Sequence, residues 1–218
     1  MTDRSSATGI NRVDRRKART REALVDAAVE LIAAGRGERA SIQEITETAD
    51  VGFGSFYNHF ESKEQLFRTA SEQLLERWGQ TIDAACGGLT DPAEIFAVSF
   101  RISGRLGWTN QAMARFLVGC GLDVVDGDLG LAPRALRDIK AGQASGRFTV
   151  ADAEVALSAA AGALLGLLRR RLSRQRGGRL DIVDDTAASV LRMLGVTPAE
   201  AARLVALPLP DVGDVLAG

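Results

Sequence analysis

The chain is poor in the residues that most often carry chemistry. Its 218 residues include two cysteines, Cys86 and Cys120, a single histidine, His59, and a single tyrosine, Tyr57. With no C-x-x-C spacing and no clustered histidine, neither a disulfide framework nor a metal site is expected. No motif asks for a cofactor. A nucleophile elbow and a phosphate loop are both missing, and Gly52-x-Gly54 follows no strand and has Tyr57 where the third glycine of a dinucleotide fingerprint would stand. An enzyme in the second half of the chain is the weaker reading, because only carboxylates gathered by folding would support it. Long apolar runs are missing too. The longest, Val155 to Leu168, is interrupted only by Ser158 and falls short of the roughly 17 to 25 residues of a membrane span. It reads as a buried core helix, so no membrane partner is expected. Met1 to Gly9 is polar and no apolar segment follows it, so no signal peptide is read and a cytoplasmic location is expected.

What is present is a globular composition, 46% apolar and 25% charged. The formal charge of −1 hides an uneven distribution, since residues 1–21 hold seven basic against two acidic residues. A basic stretch of this kind suits a phosphate backbone. Helical periodicity begins at Arg15, with Leu24, Val25, Ala28, Leu31 and Ile32 on one side and Gly35 at the stop. Ser41-Ile42-Gln43-Glu44 reads as a capping box opening a second helix that runs to about Ala49. Asp50 and Gly52 mark a tight turn, a third helix runs to about His59, and Ser62 to Gln65 caps a fourth. Gly87-Gly88, Asp91-Pro92, Asn110, Gly146, Gly177-Gly178 and Thr197-Pro198 punctuate further helices, one from about Arg134, one capped by Thr149 to Asp152, and one from Asp185. No strand is read. The expected fold is all-α: a flexible basic arm over residues 1–14, a three-helix DNA-binding unit with a helix-turn-helix over 15–67, and a larger helical ligand-binding and dimerisation domain over 68–218.

The stretch Val51-Gly52-Phe53-Gly54-Ser55-Phe56-Tyr57-Asn58-His59-Phe60 carries the most information. As a helix it sets Phe56 and Phe60 at i and i+4 to anchor a core, and leaves Phe53, Ser55 and Asn58 pointing elsewhere. Gly54, with no side chain, lets the backbone approach another surface. In a major groove Asn58 can meet an adenine edge or a phosphate, Ser55 either, and Phe53 a thymine methyl. The Tyr57 hydroxyl and the Lys63 ammonium suit phosphates. Ser41 and Gln43, opening the preceding helix, join this set, and His59 reads as structural and phosphate-facing.

From Thr20 to Phe67, without a gap, the sequence resembles the TetR family of bacterial transcriptional regulators. The shared features are the apolar first helix, the capped second helix, Gly54-x-x-Tyr57-x-His59-Phe60, and Ser62-Lys63-Glu64 opening the fourth. Asp50 stands where Gly is usual, Gly52 replaces a Ser or Thr cap, and Phe53 a polar residue, which bears on base preference. The resemblance implies a homodimer that binds double-stranded operator DNA, represses by default, and dimerises through C-terminal helices, with the 146–168 region beginning the dimer bundle.

For a small apolar effector, Trp78, Phe96, Phe100, Trp108, Met113, Phe116 and Cys120 concentrate the aromatic and soft side chains, and Arg101 and Arg105 can meet an anionic group. Core packing accounts for the same residues equally well. A redox trigger at Cys86 or Cys120 is the alternative to a ligand. Six arginines between Arg169 and Arg179 read as a solvated helix end, and Gly162 and Gly166 among alanines admit another helix closely.

Overall fold

A computed structural model describes residues 12–173, 179–210 and 212. Among them are ten α-helices and no strand: α1 (Arg12–Ala33), α2 (Ile42–Thr48), α3 (Phe53–Phe56), α4 (Lys63–Cys86), α5 (Pro92–Thr109), α6 (Gln111–Cys120), α7 (Leu131–Ala144), α8 (Ala153–Ser173), α9 (Asp181–Met193) and α10 (Pro198–Ala206). Most of the flexible-arm expectation, and Arg174, Arg176 and Gly177-Gly178, lie outside the described residues. The chain divides into two compact units, one ending at Ser71 and one beginning at Glu72. Helix α4 is continuous across that boundary.

The first unit is built around the apolar stripe of α1. Leu24, Val25, Ala28 and Leu31 bury against Ile45 of α2, Phe56 and Phe60, and Leu66 and Ala70 of α4. Fully burying a side chain such as Phe56, Leu24 or Leu66 stabilises by roughly 1.5–3 kcal/mol. Gly35, at φ +71°, ends α1. Its N–H donates to the Ile32 carbonyl at 2.9 Å and the Arg36 N–H to Leu31 at 2.8 Å, the pairing of a left-handed C-terminal stop. Ser41 caps α2 by accepting from the Glu44 N–H at 3.1 Å, but the Glu44 carboxylate pairs with Arg36 at 2.8 Å and not with the cap backbone. Only half of the expected capping box forms.

In the second unit α5 is the central helix and packs against α6, α7, α8, α9 and α10. Asp91 caps it by accepting from the Ala93 N–H at 3.0 Å, with Pro92 in the first turn, where its missing N–H costs nothing. Phe96, Phe100, Ile139, Phe148, Leu157, Val190, Leu191 and Leu194 form the core. Helix α7 begins at Leu131 and α9 at Asp181, both earlier than the sequence suggests. Gly130, at φ +80°, starts the former and Pro133 is absorbed in its first turn; Asp181 and Asp184 favour the latter through the helix dipole. Asp152, not Thr149, caps α8, accepting from the Glu154 and Val155 N–H groups at 2.8 and 3.1 Å. The Thr149 N–H is engaged instead by the Leu194 carbonyl. Helix α8 is buried on one face only, and Val155, Ala159, Gly162 and Gly166 are exposed within this chain.

Candidate functional site

Helices α2 and α3 form a helix-turn-helix. Asp50 turns the chain at φ +51°, the left-handed conformation that aspartate tolerates better than bulkier residues. Helix α3 is shorter than its sequence suggests. After Phe56 the Asn58 and His59 N–H groups bond three residues back, to Ser55 and Phe56, so the segment tightens. Phe56 and Phe60 are buried as expected, 6.0 Å apart between ring centroids. Phe53 and Tyr57, by contrast, are 54% and 58% exposed and meet edge to face. Two large rings thus stand in water beside each other.

Around them Gly54 has open space where a Cβ would stand, Asn58 is exposed, and Ser55 and His59 are half-buried. Ser41 is occupied with its cap, and Gln43 donates to Glu47 at 2.9 Å. Lys63 Nζ donates to the Ala40 carbonyl at 3.2 Å, fixing the start of α4 to the segment before α2. Burial, then Lys17 and Arg21 of α1, hold the His59 imidazole below its usual value of 6.5, which places cationic side chains of α1 beside the end of the helix-turn-helix. Arg21 also lies 5.1 Å over the Phe60 ring.

The second unit holds a partly open cavity of about 90 Å³ between α4, α5, α6, α7, α8 and the turn after α6. Its wall is almost wholly apolar, with Leu75, Ile82, Phe96, Phe100, Leu117, Val125, Leu131, Leu157 and Leu164 among its members. Four residues bring polar groups: Ser99, Ser103, Arg134 and Asp138. Arg134 gives four of its five N–H groups to the protein, donating to Glu76 at 2.8 and 3.0 Å, to Asp83 at 2.6 Å and to the Gly130 carbonyl at 2.7 Å. The same contacts hold the Glu76 carboxyl down to about 2. Asp138, only 6% exposed, takes a hydrogen bond from Arg137 Nε at 2.9 Å. Burial outweighs that bond and raises its carboxyl above the usual 3.8.

Of the effector residues expected from sequence, Phe96 and Phe100 line this cavity. Trp78, Arg101, Arg105, Trp108, Met113, Phe116 and Cys120 do not. Arg101 is 4% exposed and donates to Asp184 at 2.7 Å and to the Leu207 carbonyl at 2.9 Å, with Arg105 on the same carboxylate at 3.1 Å, so these arginines tie α5 to α9 and to the end of α10. Trp108 faces the Arg171 guanidinium at 5.1 Å. Sequence reading missed Ser103, Arg134 and Asp138. The available signal was a lone acid at helical spacing among the apolar positions Ala132, Ala135 and Ile139. Cys86 is buried beside Ser99, and burial raises both its thiol and that of Cys120, away from the thiolate character a redox trigger needs.

A helix-turn-helix with uncovered aromatics, on a chain whose second unit holds a largely apolar cavity, is the arrangement of a ligand-responsive DNA-binding regulator. Residues 24–70 match the family described as bacterial regulatory proteins, tetR family, and residues 91–206 match the one described as tetracyclin repressor-like, C-terminal domain. The chain belongs to the TetR family and is a ligand-responsive, DNA-binding transcriptional repressor. It is similar to RolR crystallised with resorcinol, at 34% identity over 91% of this chain and 99% of that one, with a TM-score of 0.75. RolR without ligand matches at 34% identity over 88% and 100%, with a TM-score of 0.71. A putative fatty acid metabolism regulator from Clostridium perfringens, 19% identical over 78% and 97% with a TM-score of 0.58, shares the fold. No protein of curated function matches the chain. No helix among the described residues is long and apolar enough to cross a membrane.

Proposed function

We propose that the effector is a small neutral phenol held in the second unit's cavity, and that it releases the protein from an operator near its own gene. The observation that carries this is a buried carboxylate, Asp138, in a largely apolar cavity of about 90 Å³. A carboxylate has room for about four hydrogen bonds, and Arg137 supplies one here. A phenolic hydroxyl is the donor that fits, with the ring against Phe96 and Phe100. An anionic effector is disfavoured, because Arg134 is already neutralised by Glu76 and Asp83 while Asp138 repels a second negative charge. The likeness to RolR with resorcinol supports the same class.

In this reading the protein acts in the cytoplasm as a homodimer without catalysing a reaction. The exposed small-residue face of α8 meets its copy, and the recognition segments enter successive major grooves. Phe53, Ser55, Asn58 and Gly54's open backbone face bases, while Tyr57, His59, Lys63, Ser41 and Gln43 face the sugar-phosphate backbone. Continuous through both units, α4 carries the coupling, typically about 1–3 kcal/mol. The test is fluorescence anisotropy on DNA upstream of its own gene across a salt series, with Tyr57→Ala and Lys63→Ala beside the wild type. Saturable binding that weakens in both variants and is reversed by resorcinol supports the reading. Binding that is equal on all DNA and indifferent to resorcinol refutes it.

A further inference from the structure

Ser103 lies in the middle of α5, is 1% exposed, and lines the cavity. Its Oγ finds no hydrogen-bond partner among the described residues. That is unusual within this chain. A serine or threonine inside a helix ordinarily turns its hydroxyl back to the carbonyl four residues earlier. Thr81 does so to Arg77, Ser99 to Ile95, Thr109 to Arg105, Ser158 to Glu154, Thr186 to Ile182 and Ser189 to Asp185, at 2.6–3.2 Å. Ser103 alone of the α5 hydroxyls forgoes this bond and leaves a buried donor and acceptor unused. A buried hydroxyl without a partner is destabilising unless something completes it. Trp78 Nε1 is also unpartnered, but Trp78 does not line the cavity. Of the cavity's other polar groups, Ser99 donates its proton to Ile95 and Arg134 gives four of its five N–H groups to protein acceptors, so the groups least engaged are the Asp138 carboxylate, acceptor only, and the Ser103 hydroxyl, donor or acceptor.

We propose that Ser103 is the specificity-determining residue of the effector site: it reads a second hydroxyl on an arene whose first hydroxyl is donated to Asp138. The preferred ligand is then a dihydroxybenzene over a monohydroxy one. This rests on the cavity being the effector site. Phenol, reaching Asp138 alone, leaves Ser103 buried and unsatisfied, whereas resorcinol completes both.

Titration calorimetry of the full-length protein with resorcinol and with phenol, on wild type and Ser103→Ala, tests the assignment. Alanine removes an unpaired buried hydroxyl without opening a large void, so the variant folds, which its thermal transition verifies. The wild type is expected to prefer resorcinol by about tenfold, the worth of one satisfied hydrogen bond, and Ser103→Ala to bind the two within about twofold of each other. A wild type with no preference, or a variant that keeps the full preference because water alone completes Ser103, overturns the role of Ser103 while leaving the phenol site standing. Failure of the wild type to bind either compound overturns the phenol site itself, and this assignment with it.

Discussion

Replacing Asp138 with asparagine separates its contribution to the effector from its contribution to the fold. The substitution keeps the shape and one acceptor oxygen but removes the charge. A hydrogen bond to a charged acceptor contributes about 1.5–3 kcal/mol and a neutral one about 0.5–1.5, so resorcinol affinity should fall by about tenfold. Stability should move the other way or not at all. The folded protein raises the Asp138 carboxyl above 3.8, so the fold binds this proton more tightly than the unfolded chain does. That stabilising effect is fully present below 3.8 and is lost as pH rises through the raised value, which leaves an ionised group that opposes folding at pH 7. Asparagine removes this opposition, and Arg137, 59% exposed, turns to solvent and to Asp83 at 3.3 Å. Calorimetry should therefore show weak resorcinol binding alongside a thermal midpoint equal to or above that of wild type. In the wild type the affinity should fall on acidification through the Asp138 carboxyl's raised value, and in Asp138→Asn it should be flat there. An asparagine variant that is folded and binds resorcinol within twofold of wild type refutes the carboxylate's role.

Other consequences concern the scaffold and the DNA face. A Cβ on Gly142 would overlap the buried Phe148 ring, which is held edge-on by Phe96 at 6.1 Å, so Gly142→Ala should lose stability near the upper end of about 1–3 kcal/mol in urea titration; an unchanged midpoint contradicts the packing. The Glu76 carboxyl is depressed to about 2, so its bond to Arg134 stabilises above 4.5 and is lost as pH falls toward 2. Screened by solvent, it is worth about 1 kcal/mol, and Glu76→Gln should flatten that part of the acid unfolding profile. His59 is kept neutral near pH 7 by burial and by Lys17 and Arg21, and a DNA phosphate beside it would favour the imidazolium. Operator affinity should therefore rise between pH 7.5 and 6 in the wild type more than in His59→Gln, and equal slopes would place the phosphate elsewhere. Phe53→Ala should weaken operator binding while leaving its salt dependence unchanged, since an apolar base contact releases no counterion; a shallower salt slope would count against that contact.

The helix-turn-helix was legible in the sequence because every part of it is local. Caps at Ser41 and Ser62, a left-handed turn at Asp50, a stop at Gly35, and Phe56 and Phe60 one turn apart all act within a few residues, so their spacing along the chain carries the structure. The all-α class followed from the same periodicity. Boundaries were less legible where two signals compete, as at Pro133, a breaker by type that the first turn of α7 accepts. The second unit's cavity lay beyond this kind of reading. Concentrated aromatics suggested Trp108, Met113 and Phe116, yet which faces of six elements close on one space is set by packing between helices far apart in the chain. Only that packing turned Arg101 and Arg105 toward Asp184, paired Arg134 with Glu76 and Asp83, and brought Asp138 and Ser103, whose hydroxyl has no partner among the described residues, to the lining of one cavity. The sequence determined the DNA-reading unit through short-range geometry. Tertiary structure decided the cavity proposed to hold the ligand, because a cavity is defined by what surrounds it and not by any one helix.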